Sequence, residues 1–187
     1  MDSQERRPQR ADARRNRDLL LAAARRVFAE RGPDAPLDEV ARRAGVGNAT
    51  MYRHFPTRTD LVIAVYADEV TALCDRGAAL LGSDPPGEAL FTWLSDFAAH
   101  VSAKRDLALT VTDDGSGRQS ELVERWHSAM IATATALLDR ARRAGAVRPG
   151  VEVMDLLTVV NGIALACGES GQADRLLRLV RSGVEAS

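Results

Sequence analysis

The chain has 187 residues, 45% of them hydrophobic and 27% charged, with a formal net charge of −1. That is enough apolar material for a buried core and too little bias for a disordered chain or a disulfide-stapled miniprotein. No apolar run approaches the roughly 20 residues of a membrane span, no secretory core follows the arginine-rich start, and Cys74 and Cys167 stand alone, so a reducing, cytoplasmic setting is expected.

The charge is split along the chain. Residues 1–58 carry 13 basic and 8 acidic side chains, a net of +5, whereas the remainder carries 12 and 18, a net of −6. A basic head on an acidic body suits a chain that grips a polyanion at one end only. A solvated helix face is the bland explanation of such a run when it stands by itself.

Residues 1–14, with Arg6, Arg7, Pro8 and Arg10, lack periodicity and read as a flexible basic arm, either lying along phosphates or merely solubilising. A first helix is expected from Asn16 to Arg31, with Leu20, Ala24, Val27 and Phe28 inward, ended by Gly32 and Pro33. Leu37, Val40, Ala41 and Ala44 then bury one face of a short helix. Gly45 supplies a left-handed cap and Val46 plugs the corner. From Gly47 a third helix turns Met51 and Phe55 inward and leaves Asn48, Ala49, Thr50, Tyr52, Arg53 and His54 outward. Hydroxyls, an amide, a guanidinium and an imidazole on two helical turns are the groups that phosphates and base edges require. Pro56 stops this helix, Thr57 and Asp60 form a capping box for the next, and Arg58 in its first turn makes a phosphate clamp.

The fourth helix turns Leu61, Val62, Val65, Tyr66, Val70 and Leu73 inward and fades near Gly82, before the breaker at 83–87. A fifth follows from about Leu90 to Arg105, then a short apolar segment at 107–111 and a loop at 113–117. Three more helices are expected at 120–144, 151–167 and 173–184. With no strand pattern or internal repeat, the chain reads as all-α with about nine helices. Its parts are a basic arm (1–14), a helix-turn-helix domain (15–60) and a helical body (61–187).

Trp93, Phe97 and His100 share one face of the fifth helix, and Trp126 and Met130 lie four apart on the seventh. With Thr110 and Asn161 they are the candidate lining of an apolar effector pocket. Plain core is the competing explanation, and periodicity leaves the two open. The eighth helix is apolar nearly all round, which fits either a subunit interface or a central position in one chain. There is no phosphate-cradling glycine motif, no Cys/His pair at ligand spacing and no nucleophile elbow, so neither an enzyme nor a cofactor or metal site is expected.

The segment Gly45-Val46-Gly47-Asn48-Ala49-Thr50-Met51-Tyr52-Arg53-His54-Phe55 resembles the recognition segment of the TetR/AcrR family of transcriptional regulators, and residues 20–32 resemble that family's first helix. The resemblance runs from about Arg15 to Tyr66. It implies that the body, 61–187, is a ligand-binding and dimerisation domain. It also implies a homodimer joined through the last two helices, reading a palindromic double-stranded operator and released by a small apolar or amphipathic effector. It further implies base-edge roles for Asn48, Ala49, Thr50 and Arg53, and phosphate roles for Tyr52, His54 and Arg58. One departure is Pro36, where the family commonly has Ser or Thr, so the backbone contact often made from there is not carried over. A helical interaction module without DNA function, or a small helical enzyme, are the competing classes, and salt-sensitive duplex binding separates the first reading from both.

Overall fold

The computed structural model describes residues 6–32, 34–104, 118–167 and 170–186. Eight helices carry this part of the chain: α1 (Arg6–Arg31), α2 (Leu37–Ala44), α3 (Asn48–His54), α4 (Arg58–Leu80), α5 (Pro86–Lys104), α6 (Arg118–Arg143), α7 (Val153–Ala166) and α8 (Ser170–Val184). The fold is all-α. Among the described residues the extended structure is confined to an isolated antiparallel bridge between Val147 and Glu185. The short segment expected at 107–111, Thr110 within it, and the loop at 113–117 lie outside the described residues.

The first helix corrects the sequence reading. It begins at Arg6, so residues 6–14, expected as a flexible arm, are helical. Pro8 by itself suggests irregular chain. It falls in the first turn instead, where backbone N–H groups have no helical partner and a missing one costs little. At the other end Gly32 takes φ 80 and its N–H bonds the Phe28 carbonyl, which closes α1 where expected.

The chain forms two compact units that divide within α4, between Asp68 and Glu69. In the head, α1 packs on α2 and α3. Its core joins Leu20, Ala24, Val27 and Phe28 to Val40, Ala41, Met51 and Phe55, and to Leu61, Val62 and Val65 from the start of α4. Each of these side chains larger than alanine contributes about 1.5–3 kcal/mol on burial. Salt bridges brace the outside, from Arg25 to Asp68 at 2.7 Å and from Arg43 to Glu30 at 2.6 Å.

In the body, α5 is the central element and packs against α6, α7 and α8. Leu90, Trp93, Leu94 and Ala98 meet Ala134, Leu137, Leu138 and Ala141 of α6 and Leu156, Leu157 and Val160 of α7, all buried. Gly145, at φ 68, closes α6: the N–H of Ala146 reaches back to the Ala141 carbonyl at 2.9 Å. Cys74 and Cys167 are free thiols. No helix of the described residues is long and apolar enough to cross a membrane.

Candidate DNA interface and effector cavity

The helix-turn-helix is held by its corner. Gly45 adopts φ 67, a left-handed conformation that only glycine takes without strain, and donates to the Arg42 carbonyl, while the Val46 N–H reaches the Ala41 carbonyl at 3.0 Å. Val46 then packs against the head core. Gly47 precedes α3 in extended geometry, and its carbonyl accepts from Thr50 and Met51. Met51 and Phe55 are buried. That anchorage leaves Asn48, Ala49, Tyr52 and Arg53 exposed, and Thr50 and His54 half-exposed.

Two side chains of the face are already organised. Arg53 donates from Nη2 to Thr50 Oγ1 at 2.7 Å and from Nε to the Ala49 carbonyl at 3.3 Å, so its guanidinium lies back along α3. A guanidinium has five N–H donors, which leaves others for a base edge or phosphate. The Thr57–Asp60 capping box is present in both directions: the Asp60 carboxylate accepts from the Thr57 N–H at 3.0 Å, and the Thr57 hydroxyl accepts from the Asp60 N–H at 3.1 Å. Arg58 beside it sends Nη1 to the Ala35 carbonyl at 2.7 Å, tying the start of α4 to the loop before α2. This structural role had no sequence signal, because the partner lies 23 residues away.

Around α2 the charges form a chain. Glu39 accepts from both Arg42 and Arg43 at 2.8 Å, and Arg43 also reaches Glu30 on α1. The hydrogen bond from Arg42, then that from Arg43, holds the Glu39 carboxyl down at about 2 against an ordinary value of 4.5. Pro36 stands at the cap of α2 with no side-chain acceptor to offer, and its carbonyl takes the Glu39 N–H instead. Arg17, absent from the sequence-based candidates, places its guanidinium 5.8 Å from the centre of the Phe55 ring.

The body holds an open groove of about 310 Å³ between α5, α6 and α7. Of the residues named as a candidate pocket lining, Phe97, Met130 and Asn161 border it. His127 and Ile131 of α6 and Met154, Leu157 and Thr158 of α7 join them. The walls are mostly apolar, with an imidazole, a hydroxyl and an amide for orientation. Trp93 does not line it and is core: fully buried, it stacks on Phe97 at 5.6 Å and donates its indole N–H to the Leu73 carbonyl at 3.0 Å. Trp126 and His100 are half-buried and also lie outside the lining, with His100 Nε2 withdrawn from solvent. On the α7 wall the sequence offered only Asn161; Met154, Leu157 and Thr158 carried no signal apart from the apolar character of that helix.

A second groove, between α5 and α8, is a poorer ligand site. Its charges already satisfy one another: Arg181 forks onto Glu88 at 2.5 and 2.8 Å, pairs with Glu185 and covers the Phe91 ring.

Residues 20–65 match the family model described as bacterial regulatory proteins, tetR family, and residues 85–186 match that of the transcriptional regulator SbtR-like C-terminal domain. The chain belongs to the TetR family. Its structure resembles the TetR transcriptional regulator SCO0520 from Streptomyces coelicolor, with 38% identity, TM-score 0.74, and coverage of 91% of this chain and 99% of that one.

Two curated relatives, both from Mycolicibacterium smegmatis, match over a short stretch of the chain. The transcriptional activator FasR is 43% identical over 58 residues, or 30% of this chain, and the transcriptional repressor LfrR is 45% identical over 51 residues, or 27%. Each match spans only 26% of the relative's own length. This TetR-family chain is a DNA-binding transcriptional regulator and not an enzyme. Its groove lies within the segment matched by the family's C-terminal model.

Proposed function

We propose that this regulator is a cytoplasmic homodimeric repressor that binds a palindromic operator and leaves it when a small apolar or amphipathic molecule enters the body groove. One observation carries the reading: the groove is lined by Phe97, Phe97 stacks on Trp93, and Trp93 is hydrogen-bonded to α4, whose other end begins at Arg58. A ligand that reshapes the groove therefore acts on the helix that the recognition domain shares. Coupling of this kind needs a ligand that prefers the DNA-incompetent arrangement, since equal affinity for both states shifts nothing.

The outer faces of α7 and α8 support the dimer. Of the six large hydrophobic side chains exposed among the described residues, Met154, Val159, Leu165 and Leu179 lie on these two helices. A second copy covers them best, because a two-fold axis sets like patch on like patch. Asn48, Ala49, Thr50 and Arg53 are assigned to base edges, and Tyr52, His54 and Arg58 to phosphates. Repression is favoured over activation because a dimer seated on a promoter blocks polymerase with no further contact surface.

The test is selection of duplexes from a random-sequence pool, followed by footprinting and sedimentation of the complex. Two chains on a two-fold symmetric site are expected. A chain that stays monomeric at micromolar concentration and protects an asymmetric site overturns the proposal.

A further inference from the structure

We infer that the first three turns of α1 form a phosphate-binding rail that grips duplex DNA outside the site read by α3. The inference rests on the operator-binding reading above. Because α1 is helical from Arg6, its arginines acquire a register. Positions 6, 10, 14 and 17 are spaced by four, four and three residues, and at about 100° per residue they fall within an arc of about 80°. Arg7 borders the same arc. Asp12 falls on the opposite side, Asp18 lies just beyond the edge next to Arg14, and Arg15 stands roughly opposite the rail. The rail is about 16 Å long at 1.5 Å per residue, with a guanidinium-bearing position every 4.5–6 Å or so. Such spacing suits successive phosphates of one strand, whereas a solubilising tail has no reason to confine its charges to one face.

A second observation sets where the rail runs. Arg17, its innermost member, lies over Phe55, the residue that closes α3. The rail therefore starts beside the end of the recognition helix and extends the basic surface of the head along α1. Arg14 and Arg17 are exposed, and no described carboxylate pairs with either, unlike Arg25, Arg42 and Arg43. Contacts of this type carry no base information. They add affinity through counterion release and fix the orientation of the head on the duplex.

The experiment compares wild type with Arg6→Gln/Arg10→Gln/Arg14→Gln, leaving Arg17 in place because it also covers Phe55. Glutamine keeps helix propensity close to that of arginine. The probe is a duplex enriched by the wild-type chain from a random pool, prepared with about 10 base pairs of flank on each side. Affinity is measured against potassium chloride concentration. The logarithmic salt slope of the dimeric complex is expected to become shallower by about 0.9 for each arginine lost from it, two per substituted position, with base preference unchanged. Arg15→Gln, one such charge removed from the other face, is expected to leave the slope alone.

A triple variant that binds with the wild-type slope overturns the rail and spares the operator reading. An effect from Arg15→Gln one third as large as that of the triple variant overturns it too, because net charge then explains the result. A wild-type chain that enriches no duplex overturns the operator reading, and the rail with it. Helicity by circular dichroism checks that α1 persists in each variant.

Discussion

The indole of Trp93 reaches the Leu73 carbonyl at 3.0 Å through a gap that Gly77 leaves in the side of α4. A Cβ on Gly77 would stand 2.2 Å from the Thr133 methyl and 2.8 Å from Trp93 Nε1, closer than real side chains approach. Thr133 is itself held by a bond from its hydroxyl to the Ala129 carbonyl, so its methyl does not swing away freely. Three helices of the body thus meet at a point with no slack.

Gly77→Ala is expected to destabilise the body by about 1–3 kcal/mol, the usual range for overpacking. Thermal unfolding checks this. Adding Thr133→Ser removes the nearer obstruction and is expected to restore only part of the loss, because Trp93 remains in the way. A Gly77→Ala chain as stable as wild type refutes the tight junction.

Phe97 is both a groove wall and a stacking partner of buried Trp93, so Phe97→Ala confounds ligand binding with folding. Such truncations cost about 3–5 kcal/mol in a core. Thr158→Val and Asn161→Leu, on exposed positions of the α7 wall, separate the two effects. They are expected to leave the melting temperature within a few degrees and to change the affinity of groove ligands. A dye such as 1-anilinonaphthalene-8-sulfonate, competed by candidate effectors, gives the measurement. Unchanged dye and effector affinity in both variants argues against this groove.

On DNA, Arg53→Ala is expected to relax preference at one base position by about 1–3 kcal/mol, while Tyr52→Phe weakens all sequences alike. Arg58→Ala is expected to do more than remove a charge, since it also releases the Ala35 carbonyl. Selection followed by sequencing distinguishes these outcomes. A uniform loss with an unchanged sequence preference in Arg53→Ala assigns that residue to phosphate.

The Glu39 carboxyl, lowered from 4.5 to about 2 by Arg42 and Arg43, gives a pH signature. A carboxylate with a depressed folded value stabilises the head fully above the unfolded value and loses that contribution as pH falls through the folded one. The difference in melting temperature between wild type and Glu39→Gln is therefore expected to be constant above about pH 5 and to shrink between 4.5 and about 2. A difference that does not vary with acidity rules out the ionic contribution.

The sequence made the local devices legible. Gly45, Thr57 with Asp60, and the apolar spacings of the head each depend on neighbours within one or two helical turns, and each is where the spacing places it. Contacts across the fold were not legible. The reach of Arg58 to Ala35, the part of the α7 groove wall beyond Asn161 and the burial of Trp93 depend on helices far apart in the chain. An aromatic stripe looks the same whether it faces a ligand or another helix. The start of α1 was missed for a different reason: a proline near a helix end reads as a breaker unless the first turn is known to tolerate it.

The bond from Arg58 to the loop before α2, together with the capping box beside it, leaves the recognition helix no hinge of its own. The head then meets DNA as a stamp with a fixed face. Genetic screens should divide accordingly. Under the proposed function, substitutions in the head should return chains that no longer bind the operator, whereas chains that bind it but ignore the proposed effector should carry changes in α4 or in the body around Trp93 and the groove.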